Sequence, residues 1–390
     1  MRNVTKENQQ RHKYYLLAGG GSGGHLYPGL SVAEALRKLE PETRILFLCT
    51  EREIDERILK NRGWRYKKQP VQPIPPLRAG AIWRFWRDWR ASVKMCERIL
   101  ADKQVAAVLG LGGFASDPAM KAAARYGIPT VMLNPDAVPG RANRFGMKYA
   151  DRIFLQWQAS RSFFGKYGPK CVVSGCPIRR EFSGSHGKRE EILRQWGLEP
   201  HKKTLLVVGG SQGGRNVNQA VVELAERAVQ DGSVQTLLTE WQVIHLTGQQ
   251  DELWVRQRYE LANQNVKVLA FTERMAEILP CVDLVIGRAG ASTLAELTEV
   301  GVASILLPYP YHKDQHQKRN AEVLAEAGAA EIVIDDCDAA STARRLGVKL
   351  RECLTNEQKL KEMAAAARSL AQGNAAENVA KELKKIGKEI

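Results

Sequence analysis

A strand, a run of glycines and a helix follow one another twice in this chain, and that repeated unit restricts its fold more than any other feature. Tyr14-Tyr15-Leu16-Leu17-Ala18 reads as a buried strand running straight into Gly19-Gly20-Gly21-Ser22-Gly23-Gly24-His25. Residues 26–39 then carry Leu30, Ala33, Leu36 and Leu39 at helical spacing. Thr204-Leu205-Leu206-Val207-Val208 restarts the pattern, followed by Gly209-Gly210-Ser211-Gln212-Gly213-Gly214 and a helix from Asn216. Further strands are read at 45–49, 105–110 and 130–133, with a helical stretch at 119–126, and again at 243–246, 266–269, 284–286 and 304–307. Such alternation predicts parallel sheet with helices on both faces. A length of 390 residues exceeds one ordinary core, so two Rossmann-like halves are expected, with a linker near Gly175-Cys176-Pro177-Ile178-Arg179. The Ala-rich stretch 363–390 reads as helical with a basic end.

Glycines between a strand and a helix let backbone N–H groups approach an anion at the helix N-terminus, where the dipole favours negative charge. They also serve tight turns for steric reasons alone. No lysine follows either glycine run, so the P-loop pattern fails. The first run lacks dinucleotide spacing, and Glu51 and Glu53 beyond the second strand do not restore a nicotinamide site. His25, at the first turn of a helix beside an anion site, reads as a general base or phosphate ligand, or as a capping histidine.

The bulk numbers set the class. Hydrophobic residues at 44% and charged residues at 26% suit a globular, water-exposed chain. Seven dispersed cysteines at 49, 96, 171, 176, 281, 337 and 353 show no paired short spacing, so reduced thiols are expected rather than a zinc site or a disulfide framework. Residues 1–13 lack the apolar core of a signal peptide, and no apolar run is long enough to span a bilayer, which gives a cytoplasmic expectation. A net charge of +15 implies an acidic partner: nucleic acid, an anionic membrane face or phosphorylated substrates. The segment Ile82-Trp83-Arg84-Phe85-Trp86-Arg87-Asp88-Trp89-Arg90 narrows that choice. On a helix Ile82, Phe85, Trp86 and Trp89 share one face with Arg84, Arg87 and Arg90 around it, which fits an interfacial helix on anionic headgroups, or packing on a sheet. No nucleic-acid motif accompanies it, so no nucleic acid partner is expected.

Gly20-Gly21-Ser22-Gly23-Gly24-His25 with Tyr27-Pro28-Gly29-Leu30 and Ala33 resembles the N-terminal signature of the MurG family. These are the UDP-N-acetylglucosamine:undecaprenyl-diphospho-muramoylpentapeptide N-acetylglucosaminyltransferases, which complete the lipid-linked disaccharide precursor of peptidoglycan. Gly112-Gly113-Phe114-Ala115-Ser116 resembles the family's second glycine motif, and Gly209-Gly210-Ser211-Gln212-Gly213 its C-terminal glycine loop. Arg288-Ala289-Gly290-Ala291-Ser292-Thr293-Leu294-Ala295-Glu296 resembles its donor segment, with His312-Lys313-Asp314, Gln317 and Asn320-Ala321 after it.

The resemblance implies an α/β GT-B fold, two Rossmann-like domains facing across a cleft. Residues 1–177 would form the acceptor and membrane side, 178–368 the donor domain, and 369–390 a helix returning to the N-terminal domain. It implies UDP-GlcNAc as donor, with Ser211, Gln212 and Gly213 at the diphosphate, Glu296 at the ribose hydroxyls and Met275 at uracil. Ala291, Ser292 and Thr293 would follow the donor backbone, Gln317 and His316 would meet its sugar, and Ser22, Gly23, Gly24, Thr272 and Arg179 would complete that site. Gly20, Gly21, Gly112, Gly113 and Asn143 would hold the acceptor and its phosphates. The acceptor would be an undecaprenyl-diphosphate-linked muramyl peptide at the anionic inner leaflet, giving a peripheral enzyme on the cytoplasmic face of the cell membrane.

No Asp-x-Asp follows a strand where a nucleotide-bound metal is expected, so neither metal nor cofactor is expected. One inverting displacement follows, with His25 the first candidate base and Asp136 the second. The chain departs from the family after Gly127-Ile128-Pro129. A Glu-Gln-Asn segment is usual there, and Leu133-Asn134-Pro135-Asp136 stands in its place. A related transferase with another lipid acceptor, a UDP-GlcNAc 2-epimerase and an inactive nucleotide-sugar-binding protein therefore stay open as alternatives.

Overall fold

The computed structural model describes residues 13–73, 75, 79–184, 187–209, 214–231, 241–311 and 314–388. Two wholly parallel sheets organise them. The first contains β1 (Tyr14–Ala18), β2 (Arg44–Cys49), β3 (Tyr66–Lys68), β4 (Val105–Gly110), β5 (Thr130–Asn134), β6 (Arg152–Leu155) and β7 (Cys171–Val173), in the order β3-β2-β1-β4-β5-β6-β7. The second contains β8 (Lys203–Val208), β9 (Trp241–Leu246), β10 (Val266–Leu269), β11 (Leu284–Gly287), β12 (Ala303–Leu306) and β13 (Ala330–Ile332), in the order β10-β9-β8-β11-β12-β13.

The strand order reverses between β1 and β4 and again between β8 and β11. Loops leaving neighbouring strands at such a point run to opposite faces of the sheet and open a crevice beyond the strands' carboxyl ends. The first glycine run lies there after β1, and Gly209 after β8. The central strands read as continuous apolar runs because both faces are covered. Tyr15 and Leu17 pack with Leu26, Leu30 and Leu36 of α1 (Gly23–Leu39). Leu16 and Ala18 pack on the opposite face with Cys96 and Ile99 of α3 (Ala79–Asp102) and Ala119 and Ala122 of α4 (Asp117–Arg125). The second sheet repeats this arrangement: Leu206 and Val285 pack with Leu294 and Leu297, while Leu205, Val207 and Ile286 pack with Val217, Val221 and Leu346.

Three local features differ from the sequence reading. First, α1 starts at Gly23, so the glycine pair forms its first turn rather than preceding it. Second, the helical stretch expected over 363–390 is two helices, Glu357–Ser369 and Ala375–Ile386, divided by a turn in which Asn374 has a φ of 61°. The first helix stays with the second sheet. The second crosses back and buries Val379, Ala380 and Leu383 against the α1 side of the first sheet, with Lys384 Nζ donating to the Leu39 carbonyl at 3.1 Å. The chain therefore passes between the sheets at residues 174–184 and at 370–374.

The third difference concerns α3. Trp89 is 7% exposed and packs with Phe85, Val93 and Ala115, whereas Trp83 and Trp86 are 65% and 43% exposed. The single aromatic face expected of Ile82, Phe85, Trp86 and Trp89 is thus divided, because one edge of that stripe closes the core beside Phe114. Among the described residues no helix is long and apolar enough to cross a membrane.

Candidate active site

One buried carboxylate shapes the first glycine loop. Asp55, on α2 (Glu53–Asn61), is fully buried and accepts from the Gly21 N–H at 2.8 and 2.9 Å, the Thr50 N–H at 3.0 Å and the Thr50 hydroxyl at 2.6 Å. Gly20 and Gly21 have φ of +151° and +86°, and a Cβ on Gly20 would stand 2.3 Å from Asp55 Oδ2. Only glycine fits there. Arg52 donates to the Gly21 carbonyl at 2.6 Å, and the Gly20 carbonyl faces His25 Nδ1 at 3.1 Å, with Ser22 Oγ 3.3 Å from the same nitrogen.

A carbonyl can only accept, so His25 Nδ1 carries a proton, and in the neutral imidazole the lone pair is on Nε2. The imidazole rests on the Gly112-Gly113 turn that follows β4, where a Cβ on Gly113 would lie 3.0 Å from His25 Cε1. The two N-terminal glycine motifs thus converge on one histidine, which they orient and leave partly exposed.

The second domain supplies the facing wall. Pro28 lies inside α1 and has no N–H for the Gly24 carbonyl, its partner four residues back. That carbonyl instead accepts from Ser292 Oγ at 3.3 Å, from the first turn of helix Ala291–Val300. Ala291 is buried and Thr293 half-buried on the same turn. One turn further on, Glu296 faces Arg179 with Oε1 3.6 Å from Nη2. Arg179 also donates to the Glu273 carbonyl at 3.4 Å and lies over the Tyr27 and Phe182 rings at 5.6 and 4.9 Å. Burial pushes the Glu296 carboxyl up to about 7, and the Arg179 guanidinium only partly opposes it. Met275 and Thr272 are half-buried close by in sequence, and the Thr272 hydroxyl accepts from the Arg274 N–H at 3.1 Å. Gln317 Oε1 accepts from the Tyr309 N–H at 3.0 Å, so that loop is shaped from within. Ser211, Gln212 and Gly213 lie outside the described residues, as do His312 and Lys313.

A third contact joins the domains at the loop after β5. Asn320 is fully buried on helix His316–Glu326. It accepts from the Ala137 N–H at 2.7 Å and donates to Asp136 Oδ1 at 2.9 Å and to the Ala289 carbonyl at 3.1 Å. His316 Nδ1 donates to the Val138 carbonyl at 3.1 Å, with Nε2 3.4 Å from Asp314. Within the first domain Asn143 donates to the Leu133 carbonyl and to Asn134 Oδ1 at 3.1 and 2.9 Å, and Asn134 donates to the Asp136 carbonyl at 2.7 Å. Asp136, read from sequence as a second base, is thus one end of a bridge between domains. Asp55, Thr50 and a role for Asn320 were not read from the sequence. Asp55 acts on Gly21 across 34 positions, where no local pattern links them, and Thr50 joins through Asp55.

Residues 15–155 match the glycosyltransferase family 28 N-terminal domain and residues 204–383 its C-terminal domain. A UDP-N-acetylglucosamine–N-acetylmuramyl-(pentapeptide) pyrophosphoryl-undecaprenol N-acetylglucosamine transferase of Syntrophus aciditrophicus is 34% identical over 364 residues, covering 93% of this chain and 96% of the relative. Its namesake in Desulforamulus reducens is 33% identical over 379 residues, covering 95% and 98%. The crystal structure of Acinetobacter baumannii MurG superposes with a TM-score of 0.69 at 27% identity, covering 96% of this chain and 99% of that one. A Staphylococcus aureus MnaA–UDP structure has a TM-score of 0.68 at 12% identity, covering 97% and 98%, and shares the fold alone.

Proposed function

The chain belongs to the family of UDP-N-acetylglucosamine–N-acetylmuramyl-(pentapeptide) pyrophosphoryl-undecaprenol N-acetylglucosamine transferases, and from that premise we propose how its cleft performs the transfer. It is a glycosyltransferase of GT-B architecture, moving N-acetylglucosamine from UDP-GlcNAc to the lipid-linked muramyl peptide. The observation that carries the mechanism is His25, whose Nε2 lone pair stands at the start of α1 opposite the helix that begins at Ala291.

The acceptor 4-hydroxyl attacks the anomeric carbon as its proton passes to His25 Nε2. The new C–O bond forms while the bond to the β-phosphate oxygen breaks, and that electron pair leaves with UDP from the opposite face. The helix N-terminus at Ala291, the glycine loop after β8 and Arg179 are suited to the departing diphosphate charge. Glu296 is suited to accept from the ribose hydroxyls, with Met275 and Thr272 toward the base and Gln317 and His316 toward the sugar. With the Gly21 N–H taken by Asp55, the α1 N-terminus is left for the acceptor's diphosphate, beside Gly112, Gly113 and Asn143. Asp136, already taken by Asn320, serves better to hold the domains in register than to accept a proton.

The outward side of α3 supports attachment to an anionic membrane face. Trp83 and Trp86 project beside Arg84, Arg87 and Arg90, and the Arg87 guanidinium lies 5.5 Å over the Trp83 ring. Phe145, 38% exposed, extends the patch, with Lys148 4.2 Å over its ring. Aromatic anchors within a basic surround suit the headgroup layer of the leaflet that carries the lipid acceptor.

Three outcomes are expected. UDP release from UDP-GlcNAc should require the lipid-linked muramyl acceptor, and His25→Ala should slow it by about 100-fold or more; epimer formation without acceptor, or near-normal turnover of the variant, would overturn the assignment. Because the free protein keeps the Glu296 proton up to about pH 7, and a carboxylate accepts hydroxyl hydrogen bonds more strongly than the acid, UDP-GlcNAc should bind more tightly as pH rises from 6 to 8, by up to about tenfold. Glu296→Gln should bind weakly with a flat profile, and an unchanged profile would remove Glu296 from the donor site. Replacing Trp83 and Trp86 together by Ala should cut binding to phosphatidylglycerol vesicles by about tenfold without lowering the thermal midpoint, whereas unaltered vesicle binding would count against that face.

A further inference from the structure

A buried ion pair at the carboxyl end of the second sheet joins segments that serve different parts of the donor. Arg288 and Asp335 are 7% and 4% exposed, and the arginine Nη1 stands 2.7 Å from Asp335 Oδ2. Arg288 follows β11 directly and opens the segment that carries Ser292 and Glu296. Its backbone N–H donates at 3.4 Å to the Val208 carbonyl, at the end of β8 where the second glycine run starts. Nη1 also donates to the Leu307 carbonyl at 2.9 Å and to the Pro308 carbonyl at 3.3 Å, and the guanidinium lies 5.6 Å over the Tyr309 ring. Those three residues follow β12, and the Tyr309 N–H is the group that Gln317 Oε1 holds.

Asp335 follows β13 and carries the connection onward. Its Oδ1 accepts from the Cys337 N–H at 3.0 Å, and Asn216 Nδ2 donates to Oδ1 and Oδ2 at 3.2 and 3.3 Å. Asn216 lies in the first turn of helix Arg215–Asp231, just beyond the glycine run. One guanidinium and one carboxylate thus tie together the segments that follow β8, β11, β12 and β13.

Stability alone does not account for charges in this place. The desolvation of two buried ions can exceed their attraction, and an apolar pair of similar volume often stabilises a core as well or better. What an apolar pair lacks is direction, whereas a planar guanidinium holds carbonyls and a carboxylate at set angles. Gln317 is placed at the donor sugar and the glycine run at its diphosphate in the proposed function, on which this inference rests. We propose that Arg288 and Asp335 form a positioning pair, which fixes the sugar side of the donor site against its diphosphate side before the anomeric bond breaks. Groups held in place beforehand need no reorganisation as charge develops on the leaving diphosphate, so the pair acts on the chemical step more than on binding. Helix Arg215–Asp231 keeps a second anchor, because Asn218 donates to the Thr247 carbonyl at 2.9 Å and to Asp251 at 2.8 Å. The nucleotide's place therefore survives loss of the pair.

The test replaces both charges at once, Arg288→Met with Asp335→Leu, so that neither is left buried alone. The variant and the unaltered full chain are compared in kcat and KM for acceptor-dependent UDP release, in UDP affinity by calorimetry, and in thermal denaturation. A cooperative thermal transition is expected, with UDP affinity and the KM for UDP-GlcNAc each within about threefold and kcat lower by at least about 30-fold. Where the double variant loses its thermal transition, Asn216→Ala, which cuts only the link between Asp335 and the helix, decides the matter by a fall in kcat of at least about fivefold at unchanged UDP affinity. A kcat within about threefold of the unaltered chain in the variant that folds, or UDP affinity falling as far as kcat, would overturn the proposal and leave a pair that only braces the sheet. Failure of the unaltered chain to release UDP in an acceptor-dependent way would overturn the proposed function itself, and this proposal with it.

Discussion

The carboxylate of Asp55 is the constraint from which the catalytic end of the first domain follows. A buried charge is tolerated only when it is fully hydrogen-bonded, and Asp55 meets that condition by taking the Gly21 and Thr50 N–H groups and the Thr50 hydroxyl. Those bonds force the positive φ angles of Gly20 and Gly21 and turn the Gly20 carbonyl toward His25. The carbonyl fixes the imidazole tautomer, and the tautomer leaves Nε2 to receive a proton. A chain of contacts thus runs from one aspartate on α2 to the nitrogen proposed to take the acceptor's proton.

The facing of the two domains rests on comparably small causes. Pro28 withholds an N–H inside α1, which frees the Gly24 carbonyl for Ser292. Asn320 satisfies the Ala137 N–H and holds Asp136 from the other side. Both contacts lie beside residues proposed for the reaction, so the contacts that join the domains also border the cleft. The loop after β5 carries an acidic group, Asp136, and that group supports the contact between domains.

The central strands were legible in the sequence because both their faces are buried and their apolar runs are continuous. Four others were not: β3 is Tyr-Lys-Lys, β13 is Ala-Glu-Ile, β7 holds three residues and β6 four that open on an exposed Arg152, whereas β10, also at a sheet edge, was read. The break at Asn374 was hidden within an Ala-rich stretch whose helical propensity is high on both sides, and only the crossing between domains demands it. Composition located the aromatic stripe on α3, but which tryptophan faces inward depends on Phe114 and Ala115, which arrive from the loop after β4. The glycine motifs and His25 could be read as a site because close backbone approach leaves a local signature. Asp55 and Asn320 could not, because their partners are brought to them by tertiary structure.

The central claim is a single displacement between a base held by the first domain and a donor held by the second. The anomeric configuration of the product, read by proton NMR of the disaccharide formed from α-linked UDP-GlcNAc, tests it most directly. Attack opposite the departing UDP predicts a β-linked product from the first turnover. An α-linked product would require a covalent intermediate or front-face attack, and would contradict the account.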